Sequence, residues 1–205
     1  MLQILAATTN KHKIQEFQSM LDASSDSGRV CIISPDAIKG FPVIVEDGTS
    51  FEENARIKAG QAARYADMAA FADDSGLEVE ALDGAPGIYS ARYAGTGDDA
   101  DNRRKLLEAL SDVAEEDRAA AFVCQACLAF PAADGDVGLW FGEGRCEGRI
   151  AFDERGENGF GYDSLFYLPD KDRTMAELPP EEKNLLSHRY HAMSRAAAFL
   201  RRIGE

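Results

Sequence analysis

The sequence has no apolar run long enough to cross a membrane. Hydrophobic residues make up 45% of its 205 residues, but no stretch approaches the roughly 20 consecutive apolar residues that a membrane helix needs. The opening residues, MLQILAATTN, also lack the basic region and long apolar segment of a signal peptide. We therefore expect no membrane association and a cytoplasmic location.

Positive charge is also scarce. The chain has 22 Lys and Arg residues against 36 Asp and Glu residues, for a formal net charge of -14. Proteins that bind DNA or RNA polymers usually present a basic surface, so this composition argues against a nucleic-acid polymer as partner. An anionic small molecule remains compatible if a local basic cluster or a metal ion offsets the negative field.

Cysteine is limited to four residues, two of which form the C-x-x-C pattern of Cys124 and Cys127. The surrounding run AAAFVCQACLAF is typical of a buried strand, in which residues three apart point to opposite faces. There is no second C-x-x-C and no nearby histidine. The pattern favours reduced structural thiols over a zinc or redox site.

The order of apolar patterns predicts an α/β fold with mixed α+β character, and the length of 205 residues, 1–205, suits one domain or a domain with a lobe. A strand in LQILAAT precedes a helix in NKHKIQEFQSMLD, and SSDSG is a polar surface loop before a strand in VCIIS. A helix follows Ser50, which forms a capping box with Glu53. A strand ends at FADDSG, and the charged stretch DDADNRRKLLEAL predicts another helix.

The second half of the chain predicts a long hairpin and a helical end. The extended runs RAAAFVCQACLAF and DVGLWFGEGRCEG flank a predicted turn at Asp134-Gly135. The segment GENGFGYDSLFYLPD predicts a loop leading into a strand, and 179–202 predicts helix with a break near Ser187. Strand–helix units at both ends with a hairpin between them indicate a mixed sheet.

The stretch TTNKHK lies between the first strand and the first helix. Free backbone N–H groups at a helix N-terminus bind anions, and hydroxyl, amide and lysine groups add further donors. No Walker loop is present. The stretch is therefore either a phosphate-binding loop or a polar helix cap with solvated lysines.

Adjacent carboxylates at Asp73 and Asp74 are costly unless they face water, face apart or share a cation. In a strand they point to opposite sides, so one of them could bind a hard cation such as Mg²⁺ together with Glu46. Alternatively, Asp74, Ser75 and Gly76 form a self-capping turn. In either case we expect the serine–glycine pair to let the chain turn tightly at the end of the strand.

Two further segments could contact a ligand. Phe160 in NGFGYDS is flanked by glycines and could stack on a base, or it could be an ordinary core aromatic. In EEKNLLSHRY, the side chains of Lys183, His188 and Arg189 could line one opening, or the stretch could be a solvated helix start capped by Ser187.

Taken together and in this order, the motifs resemble the inosine triphosphate pyrophosphatase family. The matching pieces span nearly the whole chain: TTNKHK, SFEENARIKA, ADDSGLEVEALDGAPGIYSARYAG, GFGYDSLFYLP and LPPEEKNLLSHR. The resemblance implies an elongated mixed sheet flanked by helices in two lobes, with the nucleotide in a central cleft, and a homodimer. It also implies Mg²⁺-dependent hydrolysis of ITP, dITP and XTP to the monophosphate and pyrophosphate, which cleanses the nucleotide pool.

By position, the resemblance assigns Asp74 as the catalytic acidic residue, Glu46 and Asp74 as metal ligands, and Ser75 to the substrate site. The other substrate-binding positions that it implies are Thr8, Thr9, Asn10, Lys11, His12, Lys13, Phe160, Gly161, Tyr162, Asp163, Lys183, His188 and Arg189. Thr9 stands where the family usually has glycine, and SSDSGR is longer than typical, which we interpret as a surface insertion.

Three other readings stay open at this point. The enzyme could act on modified pyrimidine triphosphates on a similar fold. It could be a nucleotide sensor that binds without hydrolysis, although the retained acids Glu46 and Asp74 argue against this. It could also be an acidic α/β protein without a ligand site, in which case all four motifs would be coincidental.

Overall fold

A computed structural model describes residues 2–22, 30–133 and 135–203, except for the side chains of His12, Glu16 and Ile203. The expected surface insertion at 24–29 and the Asp134 position of the expected turn lie outside the described residues. None of the helices within these ranges is long and apolar enough to span a bilayer.

The described chain contains five α-helices and seven strands, which confirms the predicted α/β fold. The helices are α1 (Lys11–Asp22), α2 (Phe51–Ala66), α3 (Asp99–Ala109), α4 (Pro180–Leu186) and α5 (His188–Ile203). The strands are β1 (Leu2–Ala6), β2 (Val30–Ile33), β3 (Ala70–Val79), β4 (Ala119–Pro131), β5 (Val137–Ile150), β6 (Phe166–Leu168) and β7 (Arg173–Thr174).

All seven strands belong to one mixed sheet, in the order β2-β1-β3-β4-β5-β6-β7. Strand β1 pairs in parallel with β2 and β3, whereas β6 pairs antiparallel with β5 and β7. Strands β4 and β5 are sheet neighbours joined by a short connection, as the hairpin prediction requires. The connection includes Gly135 at φ +81°, a conformation that glycine adopts without steric cost.

The chain divides into two compact units. The first comprises Met1–Asp74, Gln125–Glu143 and Ala192–Glu205, and the second comprises Ser75–Cys124 and Gly144–His191. The division within β3 falls between Asp74 and Ser75.

One cluster in the core of the first unit, beside α2, is rich in small side chains. Helix α2 presents Ala55, Ala59, Ala62 and Ala63, all fully buried, in a cluster that includes Leu5 of β1. Small residues at helical spacing let the helix axis approach the sheet closely. The small-residue side of this helix is therefore its core-facing side.

The core of the second unit contains larger side chains. Leu77, Leu106, Leu165 and Phe166 are fully buried in one cluster. Arg118 is also buried, and its guanidinium donates to the carbonyls of Leu110, Val113 and Ala151. A buried cation is tolerated where its donors are bonded in this way.

The start of α2 differs slightly from the predicted capping box. The Ser50 hydroxyl accepts from the Glu53 N–H at 3.1 Å, as expected. The Glu53 carboxylate, however, accepts most closely from the N–H and hydroxyl of Thr49, with a smaller contribution from the Ser50 backbone. The cap therefore fixes one more residue of the segment that precedes the helix.

The expected turn at Ser75 and Gly76 is wrong. Strand β3 continues through Asp73, Asp74, Ser75 and Gly76 to Val79, and Gly76 is not among the glycines with positive φ. Extended backbone can hold adjacent acids because alternation places them on opposite faces, where each can find its own partner.

Candidate active site

The two adjacent acids of β3 have different lysine partners. Lys13 Nζ lies 2.7 Å from Asp73 Oδ2, and the Asp73 side chain is completely shielded from solvent. Asp74 Oδ1 lies 3.1 Å from Lys58 Nζ, and its other oxygen accepts from Asn54 at 3.1 Å. The pairing explains how the strand accommodates both charges: each carboxylate is offset on its own face.

Lys58 links Asp74 to a second carboxylate. Its ammonium lies 2.8 Å from Glu46 Oε2 and 3.1 Å from Asp74 Oδ1, and its side chain is only 11% exposed. Two acids from different parts of the chain thus converge on one cation. This Lys58–Glu46–Asp74 cluster lies entirely within the first unit.

Asn54 and Gly48 hold the segment that carries Glu46. Asn54 Oδ1 accepts from the Gly48 N–H at 2.9 Å, while its amide donates to Asp74. A Cβ at Gly48 would lie 2.8 Å from both Asn54 Oδ1 and Glu53 Cβ. Only glycine therefore allows the backbone before α2 to approach the helix this closely.

Burial and pairing shift the pKa values in the Lys58–Glu46–Asp74 cluster. Burial raises the pKa of the Asp74 carboxyl, while Lys58 and Asn54 oppose that change. Burial on its own would lower the pKa of Lys58, but the attraction of Asp74 and Glu46 outweighs it and raises the pKa. The lysine therefore stays charged, and Asp74 binds a proton more readily than an exposed aspartate does.

The predicted phosphate loop leads directly into α1. The Thr8 hydroxyl accepts from the Asn10 N–H at 3.2 Å, and the Asn10 side chain accepts from the Lys13 N–H at 3.3 Å. Lys11 is exposed and Lys13 is directed to Asp73. The predicted position His12 lies outside the described side chains.

Thr9 does not need the backbone freedom of the glycine that the resemblance led us to expect at this position. Outside glycine, positive φ values among the described residues occur only at Asp67, Asp83 and Asp172. Thr9 is exposed and keeps a φ that any residue can adopt. The substitution therefore causes no backbone strain in this loop.

In the second unit, Asp163 organises the glycine loop that contains Phe160. Its Oδ2 accepts from Lys183 Nζ at 2.6 Å and from the Phe160 N–H at 2.9 Å. Lys183 Nζ lies 5.3 Å from the centroid of the Phe160 ring, and Phe160 is 67% exposed. The loop thus presents an aromatic face with an ammonium beside it.

The close approach of the loop to the Asp163–Lys183 ion pair also requires glycine at position 159. Gly159 has φ +91°, and a Cβ there would collide with Asp163 Oδ2 and Lys183 Nζ. The close approach of the loop backbone to this ion pair explains the glycine before Phe160.

Tyr162 differs from its predicted neighbours because its side chain faces the core. It is 5% exposed, and its hydroxyl donates to the Ser90 carbonyl at 2.8 Å. Burial raises the pKa of Tyr162. Its side chain therefore anchors the loop within the second unit.

His188 and Arg189 begin helix α5, and both are half-buried. The His188 ring stacks on Phe122 with centroids 5.0 Å apart and planes 18° apart. Ser187 caps this helix as predicted, since its hydroxyl accepts from the Tyr190 N–H at 3.0 Å. Ser75 is half-buried on β3.

The sequence reasoning missed the roles of Asn54 and Lys58. The two residues lie four positions apart on α2 and therefore share one face of the helix. Polar residues at this spacing beside a stripe of alanines are the one local signal that could have identified them.

Among the described residues, no group of three or more His, Cys, Asp and Glu side chains is arranged to hold a metal ion. The pair Glu46 and Asp74 nevertheless fits Mg²⁺ when phosphate is also bound. Both carboxylates already converge on one cation, the Lys58 ammonium, and Mg²⁺ typically takes one or two carboxylates, with phosphate oxygens and water as its other ligands.

Paired carboxylates and lysines beside a strand-to-helix loop in an α/β fold are typical of proteins that bind phosphorylated ligands. The comparison with known families is more specific. Residues 4–199 match the model of the Ham1 family, and the chain belongs to this family.

Relatives and solved structures agree with this assignment. The chain is 47% identical to a dITP/XTP pyrophosphatase of Desulfotalea psychrophila, over 95% of this chain and 83% of that protein. It is 48% identical to a dITP/XTP pyrophosphatase of Haemophilus influenzae, over 94% and 95%. The structure of a Ham1 protein from Coxiella burnetii superimposes with a TM-score of 0.90 at 41% identity, covering 98% of this chain and all of that one.

Proposed function

We propose that this protein hydrolyses non-standard purine nucleoside triphosphates, namely ITP, dITP and XTP, to the monophosphate and pyrophosphate. The Lys58–Glu46–Asp74 cluster is the structural observation that carries the proposal. It supplies a carboxylate with a raised pKa beside a charged lysine, and the relatives that match nearly the whole chain are named dITP/XTP pyrophosphatases.

The loop before α1 binds the triphosphate in this proposal. The N-terminus of α1 offers backbone N–H groups, and the loop 8–13 adds hydroxyl and ammonium donors. Lys13 is held by Asp73 at 2.7 Å, so its ammonium is fixed in direction. Charge neutralisation and positioning account for most of the catalysis at a phosphate chain.

Asp74 acts as the general base in this mechanism. It takes a proton from a water molecule whose oxygen forms a bond to the α-phosphorus. The bond from that phosphorus to the oxygen bridging the α- and β-phosphates breaks, and pyrophosphate leaves with the bonding electrons. A raised carboxyl pKa suits proton transfer because it brings the base closer to neutral pH.

We further propose that the reaction depends on Mg²⁺ held by Glu46 and Asp74. The ion would supply charge neutralisation at the phosphate oxygens. Lys58 lies within hydrogen-bond distance of both carboxylates and keeps them together.

The glycine loop that contains Phe160 recognises the base in this proposal. The exposed Phe160 ring is a stacking surface, and Lys183 and Arg189 are donors suited to the 6-oxo group of hypoxanthine and xanthine. Adenine carries a 6-amino donor instead, which would leave these donors unpaired at a cost of about 1–3 kcal/mol. Donors at this edge therefore favour ITP and XTP over ATP.

The proposal is tested by pyrophosphate release from ITP, XTP, dITP, GTP, ATP and dUTP, with and without Mg²⁺. We expect the highest kcat/KM for ITP, dITP and XTP, and loss of activity on chelation. Equal kcat/KM for ATP and ITP would refute the base assignment. Preference for dUTP would identify a pyrimidine enzyme, and nucleotide binding without turnover would identify a sensor.

We also propose that the protein is a cytoplasmic homodimer. Cys31, Cys124, Cys127 and Cys146 are free thiols, which suits a reducing compartment. Sedimentation equilibrium would decide the oligomeric state, and a mass near 22.3 kDa, that of one chain, would contradict the dimer.

A further inference from the structure

Helix α3 binds the glycine loop through both backbone groups of one residue, Gly161. Asp99 Oδ2 accepts from the Gly161 N–H at 2.8 Å, and Arg103 Nη1 donates to the Gly161 carbonyl at 2.9 Å. Asp99 and Arg103 are four residues apart, so they lie on the same face of the helix. A carboxylate and a guanidinium thus hold one residue by its donor and its acceptor at once.

The held residue is the one after Phe160. Gly161 has φ +61° and Gly159 has φ +91°, so the exposed ring lies between two residues that have the widest backbone freedom. Within the loop, the Phe160 N–H is bonded to Asp163. The contacts from α3 restrain this backbone from outside the loop, and the backbone in turn sets the orientation of the Phe160 ring.

Arg103 also holds the beginning of the same loop. Its Nε lies 2.8 Å from Glu154 Oε2, and Glu154 accepts from the Ser164 hydroxyl at 2.9 Å. The contact with Glu154 is an ion pair without hydrogen-bond geometry at Nε, whereas Nη1 of the same guanidinium forms the hydrogen bond to Gly161. One side chain therefore ties residues on both sides of Phe160 to the helix.

Helix α3 is itself fixed within the second unit. Asn102 is 2% exposed, accepts from the Ala94 N–H at 2.7 Å and donates to the Ala91 carbonyl at 3.3 Å. Leu106, one turn later, is fully buried in the core. The helix cannot shift without breaking these contacts, so it provides a rigid base for the loop.

We propose that Asp99 and Arg103 are positioning residues for purine recognition, which act by fixing Gly161 and thereby the direction of the Phe160 ring. The inference rests on the proposed function, since that function makes Phe160 the stacking surface for the base. It gives a role to the charged helix DDADNRRKLLEAL, which lies outside the predicted binding residues.

Asp99→Ala is the first test, with Asp101→Ala as its matched control. Both residues are acids in the first turn of α3, but the hydrogen bonds of Asp101 are to Thr96 and Arg104. Asp99→Ala should raise the KM for ITP roughly tenfold while kcat changes less than about threefold. The variant loses a hydrogen bond to a charged group that orients the base-binding loop, and this loss affects substrate binding rather than the chemical step. Asp101→Ala should leave both constants near the wild-type values.

Conservative variants separate positioning from general destabilisation. Asp99→Asn keeps an oxygen acceptor, so its KM for ITP should be close to the wild-type value. Arg103→Lys keeps the charge but loses the planar fork, so it should resemble Asp99→Ala. Arg104→Lys, on an exposed residue whose ion pairs are to Asp101 and Glu108, is its control and should behave as wild type.

Amide hydrogen exchange of the peptide that contains Gly161 provides a readout independent of turnover. Exchange should become at least about tenfold faster in Asp99→Ala and stay unchanged in Asp101→Ala. Unchanged exchange in Asp99→Ala, or faster exchange with an unchanged KM, would overturn the inference. A wild-type protein that neither cleaves ITP nor binds inosine monophosphate would instead refute the proposed function, and the inference with it.

Discussion

Lys13 Nζ lies 2.7 Å from Asp73 Oδ2, and the carboxylate that it contacts is completely inaccessible to solvent. The next residue, Asp74, points to the other face of β3 and pairs with Lys58 at 3.1 Å. Consecutive acids thus serve different lysines. The first joins the predicted phosphate loop to the sheet, and the second belongs to the proposed catalytic cluster.

This division predicts opposite phenotypes for the two amide substitutions. Asp73→Asn should lower the free energy of unfolding by about 1–3 kcal/mol, because Lys13 loses a buried ionic partner, and should retain measurable turnover. Asp74→Asn should abolish pyrophosphate release and lower stability by less than about 1 kcal/mol, since burial already disfavours its charged form. Denaturant titration and the pyrophosphate assay measure both effects, and near-normal activity of Asp74→Asn would exclude its role as base.

Lys58→Met should be both unstable and inactive. Without the ammonium, Glu46 and Asp74 face each other as like charges, and we expect a loss of about 2–3 kcal/mol in the free energy of unfolding. Arg64→Met is the control on the same helix, because its ion pair to Asp136 is exposed and such pairs contribute less than about 1 kcal/mol. Equal effects of the two variants in thermal unfolding would contradict the assignment of Lys58.

Phe160→Ala should affect substrate binding and leave stability intact. The ring is 67% exposed, so its removal should change the free energy of unfolding by less than about 0.5 kcal/mol. Loss of base stacking should raise the KM for ITP roughly tenfold or more. Phe152→Ala removes another exposed ring, which packs against Arg118, and should leave the KM for ITP unchanged; a comparable increase in both variants would argue against stacking.

The buried thiol of Cys127 should make stability depend on pH in the alkaline range. Burial raises its pKa to about 12, whereas a thiol in the unfolded chain has a pKa of about 8.5. Below about pH 8.5 the thiol keeps its proton in both the folded and the unfolded state, so its full contribution to the free energy of unfolding is present. Above it the unfolded state loses its proton first, so the free energy of unfolding falls as pH rises towards 12.

Cys127→Ala removes this dependence. As the pH rises from about 8.5 to about 10.5, the variant should lose about 2 kcal/mol less stability than the wild type. Urea unfolding of both proteins at a series of pH values measures this difference in stability. Other groups that lose protons at alkaline pH affect both proteins equally and cancel in the difference. Parallel curves for the two proteins would show that the Cys127 pKa is not raised.

Local patterns in the sequence were sufficient to predict most helices, the long hairpin and the caps at Ser50 and Ser187. These features depend on apolar periodicity and on bonds between residues a few positions apart. The same local reasoning failed at Ser75 and Gly76, where turn-forming residues predicted a tight turn but the strand continues. It placed Asp73 and Asp74 on opposite faces, but it did not identify their partners, because those lysines are 60 and 16 residues away.

The residues of the candidate site could also be predicted only in part from the sequence. The family motifs identified Asp74, Glu46, Phe160 and Lys183, but not which residue each would contact. Lys58 lies in a helix whose pattern is compatible with an ordinary solvated lysine, and Tyr162 lies in a glycine loop that is compatible with an exposed aromatic.

The sequence by itself determined the order and type of the elements, because backbone preference and apolar spacing act over short distances along the chain. The tertiary structure decided which charges neutralise each other, which aromatic faces the core and which helix holds the glycine loop. Those outcomes depend on side chains that are distant in sequence and meet only after the strands have paired.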